Sequence, residues 1–317
     1  MDICHEIDTW YERMGPISVP TIFFGGGTPS LMPVSCLDQI LSHIARKFAI
    51  APNAEITVES NPGTMDAIKL HDFIYAGMNR LSVGVQSFHD KELTFLGRRH
   101  TAHDARHLID VATNAGLRVS ADFIYGLPGH GVKNIIDLCQ DINQMGLRHC
   151  SLYELTIEPS TPMGKMNLDM PDNDLMADMY NAIDASLNLN RYEVSNYAAP
   201  SQECRHNAGI WAGDAYIGLG RGAAGRPLIN GVWHDQMGAG ARCTPIDHAT
   251  RAVEKVLTGM RTMRGIALTP DIRDVIDHDA LGNALENGTI SMSDPNHIAP
   301  TAKGMLILDN LMINLMR

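Results

Sequence analysis

Base is in short supply in this 317-residue sequence, where 25 Lys and Arg stand against 36 Asp and Glu for a formal net charge of −11. A nucleic-acid partner is held through phosphate contacts that need a basic face, so the composition argues against one. Arg98-Arg99-His100 is the only tight basic cluster outside the C-terminal region, and it is too short for a nucleic-acid stripe. Long apolar runs are also missing; none reaches the ~20 residues that span a bilayer. The opening residues Met1-Asp2-Ile3-Cys4-His5-Glu6 carry acid where a secretory signal carries base. Cysteine is scarce and scattered. Cys4, Cys36, Cys139, Cys150, Cys204 and Cys243 show no paired spacing, which reads as reduced, cytoplasmic thiols rather than a disulfide framework.

What is present is an ordinary globular balance, 44% hydrophobic and 19% charged. From residue 20 to about 196, β-rich runs alternate with helical periods. Thr21 to Phe24 predicts a buried strand that stops at Gly25-Gly26-Gly27, and Leu37, Ile40, Leu41, Ile44 and Phe48 follow at helical steps. Further strands are expected at Ala54–Ser60, Arg80–Ser87, Arg118–Tyr125, Cys150–Thr156 and Tyr192–Ser195, separated by helices. Strands alternating with helices imply an α/β fold with a parallel sheet covered by helices. An open or partial six-stranded β/α barrel fits, and so does a doubly wound sheet. Residues 197–244 are rich in Gly and Ala without clear period and read as a long irregular segment. Residues 245–317 predict a smaller, mainly helical domain with a β-wing near Thr289 to His297. The expected division is therefore 1–196, 197–244 and 245–317.

Ligands of parallel β/α folds bind beyond the C-terminal strand ends. Those ends carry Gly25-Gly26-Gly27-Thr28, then Glu59 and Asn61, Gln86, Asp122, and Glu154 with Thr156. A glycine run after a strand is by itself a tight turn, and a lone strand-end carboxylate is commonly solvated. Asp122 sits beside apolar Phe123 and Ile124, where a carboxylate without a partner is costly. Several polar residues on one rim point to a pocket for a polar, nucleoside-sized molecule. Glycines leave N–H donors open, Glu59 and Asp122 accept from ammonium or hydroxyl groups, Gln86 donates and accepts, and Arg98 offers a planar fork to a carboxylate. The run lacks both the dinucleotide and the P-loop spacing.

Four stretches occur in order: Phe24-Gly25-Gly26-Gly27-Thr28-Pro29-Ser30-Leu31, Glu59-Ser60-Asn61-Pro62-Gly63-Thr64, Arg80 to Phe88, and Asp122 to Gly129. Together they resemble the oxygen-independent coproporphyrinogen III oxidase family of radical-SAM proteins. Leu155-Thr156-Ile157-Glu158-Pro159, Glu203-Cys204-Arg205-His206-Asn207 and the glycine-rich Tyr216 to Gly225 are similar to its heme-chaperone branch, HemW. The resemblance implies a partial radical-SAM barrel that lacks its first strand here, leaving the strand edge at Ile22 to Phe24 open to self-association. It implies S-adenosylmethionine contacts at Gly26, Gly27, Thr28, Glu59, Gln86, Arg98 and Asp122. It also implies a heme contact at His206, a [4Fe–4S] cluster, and heme-receiving partner proteins.

The sequence departs from the family at the cluster. Its Cys-x-x-x-Cys-x-x-Cys loop has no counterpart: counted from Cys4, the spacing lands on Asp8 and Tyr11. Hard oxygen donors replace soft thiolate poorly at iron–sulfur. Ile210 stands where the heme motif has Tyr, while Trp211 remains; Ala224 stands where the family has His. Three readings follow: a chaperone-like protein, truncated or degenerate at the cluster; a coproporphyrinogen decarboxylase whose record starts at an internal methionine; and a cluster-less binder of heme or a nucleoside. The chain as written is expected to hold no stable cluster. Anaerobic reconstitution followed by iron and sulfide assay checks this, and about four irons per chain, lost on Cys4→Ala, would overturn it.

Overall fold

The computed structural model describes residues 3–238 and 240–316. Helix α1 (Ile3–Met14) leads into β1 (Ser18–Phe24), followed by α2 (Val34–Lys47), β2 (Ala49–Ser60) and α3 (Ala67–Tyr75). Next come β3 (Arg80–Gln86), α4 (Asp90–Phe95), α5 (Ala102–Asn114), β4 (Arg118–Tyr125), α6 (Val132–Gln144), β5 (His149–Glu154) and α7 (Asn173–Ser186). With β6 (Asn190–Arg191) and β7 (Asn196–Ala198) they build one sheet in the order β1-β2-β3-β4-β5-β7-β6. Strands β2 to β5 are parallel, with Ser60 beside Val83, Ser82 beside Ser120, and Asp122 beside Ser151. The α/β class with a helix-covered parallel sheet is therefore what the alternating pattern anticipated.

Local chemistry marks the helix starts. Asp66 and Asp172 cap α3 and α7 by accepting from Lys69 and Leu175 N–H. Thr101 and Asp104 make a reciprocal capping box at α5.

The expected sixth strand at Tyr192–Ser195 is not a parallel strand. Those residues lie between β6 and β7, which pair antiparallel, and β7 runs antiparallel to β5. The buried Glu193 carboxylate accepts from Ser195 N–H at 3.0 Å and from the Asn196 amide, so the chain turns around it. The span 197–244 is not irregular either. It holds α8 (Arg205–Ala212), β8 (Ala224–Gly225), β9 (Leu228–Ile229), β10 (Val232–Met237) and β11 (Cys243–Pro245). Its order comes from devices without hydrophobic period: Gly213 ends α8 in the left-handed region, and the fully buried Gln236 amide bonds both Gly218 N–H and Gly218 C=O.

The remainder contains α9 (His248–Gly259), β12 (Ile266–Ala267), α10 (Pro270–Val275), α11 (His278–Glu286), β13 (Ile290–Asp294), β14 (His297–Pro300), α12 (Ala302–Met305) and α13 (Leu308–Leu315). The anticipated wing is the antiparallel trio β12-β14-β13. Compact units fall at other places than residues 196 and 244. One comprises the chain up to Ile22, Ser35–Glu55 and the chain from Cys204 on; the other comprises Phe23–Val34 and Ile56–Glu203.

In the first unit, the stripe of Ile3, Ile7 and Trp10 along α1 packs with Ile44, Phe48 and Ala241. Trp10 is 0% exposed there. Trp10→Ala should destabilise the chain by about 3–5 kcal/mol through lost burial and the cavity left behind, measured as a shift in the denaturant midpoint.

Candidate functional site

The second unit contains a cavity of ≈ 180 Å³ at the C-terminal ends of β2, β3 and β4. Gly27, Thr28, Glu59, Gln86 and Asp122 all line it. Gly26 stands next to them and donates its N–H to Glu59 Oε2 at 3.0 Å. Gly26 and Gly27 both take positive φ, 79° and 58°, so the turn after β1 requires two residues without a Cβ. Thr28 Oγ1 accepts from the Asn61 amide at 3.4 Å, tying this turn to the end of β2.

Four lining residues escaped the strand-end reading: Pro29, Ser60, Ser82 and Gly84. For the two on β3 the signal was available in the period of two. Ser82, Gly84 and Gln86 alternate along β3 and face the same side of the sheet. Gly84 keeps the cleft open, since a Cβ there would meet Asn61 Oδ1 at 3.0 Å and Gln86 Nε2 at 3.1 Å. Gln86 itself has φ of 69° and follows a register shift after Val83. A bulge that re-aims a side chain and a non-glycine residue in the left-handed region both cost energy, and both concentrate at ligand sites.

Asp122 is the floor of the cleft. Ser82 Oγ donates to its Oδ2 at 3.1 Å. Burial pushes its carboxyl up to about 6; the Ser151 and Ser82 hydroxyls pull the other way, the Glu59 charge adds to the rise, and Arg80 opposes it. The residue is only half-buried by exposed area, because the cleft opens above the carboxyl while protein surrounds it on the other sides.

Other sequence candidates lie elsewhere. Arg98 does not line the cavity; its backbone N–H closes the turn after α4 on Leu93 C=O at 2.8 Å, and its Nε is buried without a partner among the described residues. Glu154 and Thr156 are exposed and also outside the cavity. His206 belongs to the first unit, as the second residue of α8 rather than part of a flexible loop. Its Nδ1 lies 3.0 Å from Thr21 Oγ1, and its backbone N–H donates to the buried Glu55 carboxylate at 3.1 Å. Burial lowers the His206 pKa, partly offset by Glu55. Trp211 is on the same helix, and the Arg261 guanidinium, from just beyond α9's end, sits 5.2 Å from its ring centre.

The residues do not fit an iron–sulfur cluster. Cys4 lies on α1, where Asp8 is engaged by His43 at 3.0 Å and Lys47 at 2.8 Å, and the remaining thiols lie on other elements or helix ends. No group of three or more His, Cys, Asp or Glu among the described residues is placed to hold a metal. No helix among them is long and apolar enough to cross a membrane.

Comparison with known proteins gives a consistent picture. The radical SAM superfamily profile matches residues 4–142. Heme chaperone HemW of Synechocystis is 32% identical over 289 residues, covering 83% of this chain and 69% of the relative. Radical S-adenosyl methionine domain-containing protein 1 of Danio rerio is 30% identical over 350 aligned positions, covering 97% and 77%. HemW of Escherichia coli is 37% identical over 212 residues; the alignment covers 66% of this chain but just 56% of that protein. The solved structure of E. coli coproporphyrinogen III oxidase (HemN) superposes with a TM-score of 0.80 at 18% identity, covering 99% of this chain and 81% of that one, which is evidence of the fold alone.

The Asp122 environment sets a pH dependence. Its folded-state pKa of about 6 lies above the ordinary 3.8, so the folded chain disfavours the ionised form. No penalty exists when both states are protonated; it builds above pH 3.8 and is complete above about 6. Asp122→Asn should therefore stabilise by on the order of 1–3 kcal/mol at pH 7.5 and change little at pH 4. Thermal melts of both proteins across that range check it.

Proposed function

We propose that this chain, which belongs to the HemW-like group of the radical SAM superfamily, binds S-adenosylmethionine in the Gly27–Asp122 cleft and handles heme through the helix that carries His206. The observation that carries the first part is the cleft itself: it meets a ligand with open backbone around Gly27 and Gly84 and with the side chains of Thr28, Glu59, Gln86 and Asp122. S-adenosylmethionine, when bound, supplies a sulfonium-activated adenosyl group. The work of this chain's residues is recognition. Glu59 and Asp122 accept from ammonium and hydroxyl groups, Gln86 both donates and accepts, and the Gly26-Gly27 turn brings backbone close to the ligand. Arg98 is assigned a supporting contact from the family pattern alone.

No step is routed through a cluster, because the chain's own side chains do not fit one.

Heme is cargo in this reading, passed to recipient proteins. A neutral imidazole is the ligating form, and the lowered His206 pKa keeps it neutral. The Thr21 hydroxyl at Nδ1 fixes the ring orientation, as an outer hydrogen bond does for a metal-ligating histidine.

Two measurements test the proposal. Calorimetric titration with S-adenosylmethionine should give weak binding, Kd nearer ~1 mM than ~1 µM, abolished by Asp122→Ala with Glu59→Ala; binding untouched by the pair would remove the cleft from the account. Heme titration followed by the Soret band should change on His206→Ala. In the unsubstituted protein, His206-dependent binding should persist as pH falls below 6.5, the ordinary histidine value, because the folded pKa is lowered. An unchanged band in the variant sinks the heme assignment.

A further inference from the structure

A second and larger cavity, ≈ 440 Å³, lies in the C-terminal region between α11 and α13. Four asparagines line it: Asn283 and Asn287 from the end of α11, and Asn310 and Asn314 from α13. Among the described residues, none of the four side-chain amides has a hydrogen-bond partner, and all four residues are exposed. Between the two pairs the walls are small or apolar, Ala280, Ala284 and Leu311. Asparagine is a poor helix former, so the three inside helices, Asn283, Asn310 and Asn314, are not explained by helix stability.

We infer that this groove is a docking site for an extended polypeptide segment of a partner protein, held by its main chain. A primary amide presents one donor group and one acceptor side by side, which matches the N–H and C=O of a peptide. Spacing matches too. Residues i and i+4 on a helix are separated by ~6 Å along its axis, and alternate residues of an extended strand by ~6.6–6.8 Å. Each asparagine pair is therefore in register with successive main-chain groups along one edge of a strand, while alternate side chains rest on Ala280, Ala284 and Leu311.

The charge pattern selects against other occupants. Asp277 is the sole acidic or basic residue of the lining, and its Oδ1 already accepts from Ala280 N–H at 2.8 Å. An anionic ligand finds no counter-charge in the lining, and a multiply cationic one finds a single carboxyl group. The lining has no aromatic ring on which a sugar would stack. A neutral, extended peptide fits what is present, with Ile307 as an apolar lip at 46% exposure.

The test selects linear peptides of about twelve residues from a random display library on the whole chain. Enriched peptides are then measured on the unsubstituted protein and on the variant Asn283→Ala/Asn310→Ala/Asn314→Ala. Asn287 is kept because it ends α11. Circular dichroism confirms that the variant is folded, and exposed positions are chosen so that it is. The expected result is a loss of about tenfold or more in affinity on the variant. A second arm uses the same peptides N-methylated at alternate residues, which deletes main-chain donors without touching side chains; each phase removes the donors that face one asparagine pair, so binding should fall in both. Enrichment of no peptide, peptides indifferent to the variant, or indifference to methylation in either phase overturns the proposal. Asn-dependent binding of an oligosaccharide on a glycan array, with no such peptide, would overturn it in favour of a sugar.

Discussion

The hydrogen bond from Ser82 Oγ to the Asp122 carboxyl is the constraint around which the cleft is organised. It joins neighbouring parallel strands on one face of the sheet, and it can form only if β3 and β4 keep the register that places Ser82 beside Ser120. A slip of one residue would turn Ser82, Gly84 and Gln86 to the opposite face and bring Leu81, Val83 and Val85 toward the ligand. The same register holds deeper in the sheet. The guanidinium of Arg80, 1% exposed, donates to Ser120 Oγ at 2.6 Å and to Gln202 C=O at 3.2 Å. Both bonds lie below the cleft on the face that carries Asp122, so the binding residues stand on a polar layer that is itself fixed by hydrogen bonds.

That layer is costly. Desolvation pushes the buried His149 imidazole well below its ordinary range, and the nearby Arg80 and Arg118 charges add to the fall. His149 is therefore the neutral member of a cationic neighbourhood, bonded to Tyr192 Oη at 2.8 Å. An apolar interior would be simpler to stabilise. Polar groups buried on the inner face of a sheet whose strand ends bind a polar ligand have a direct use: they set the orientation and charge of the floor that the ligand meets.

How much of this was legible follows from which signals have a period. Thr21 to Phe24 and Ala54 to Ser60 read as strands because apolar runs stop at Gly25 and at Asn61-Pro62. Helix α5 falls where a helix was expected between the strands Arg80–Ser87 and Arg118–Tyr125, and its Ala105, Leu108, Ile109 and Ala112 are buried at helical steps. Tyr192–Ser195 misled because its β-rich composition says nothing of a carboxylate, Glu193, that bonds its own successors. The order in 197–244 was invisible since it depends on single residues such as Gln236 and Gly213, not on a repeat. In the cleft, strand-end position brought Gly27, Thr28, Glu59, Gln86 and Asp122 to one list, and they line one cavity. Ser82 was passed over because a serine in mid-strand looks neutral until the strand beside it is known to carry a carboxylate.

Electrostatics gives the cleft a preference in ligand charge. Glu59 and Asp122 face one cavity, and the Glu59 charge contributes to holding the Asp122 carboxyl above its ordinary range. Burial is the first cause of that rise and the Glu59 charge a smaller one. A cation bound beside the Asp122 carboxyl offsets both and lowers its pKa. An anion there raises it further. The cleft is therefore built for a ligand that brings positive charge near the carboxylates and polar groups near Gln86 and Thr28. A sulfonium and an ammonium on one nucleoside meet that requirement, whereas a free nucleotide, with phosphate charge and no cation, does not. The S-adenosylmethionine proposed for this cleft carries such charges, so the local charge pattern supports that proposal beside the order of motifs along the chain.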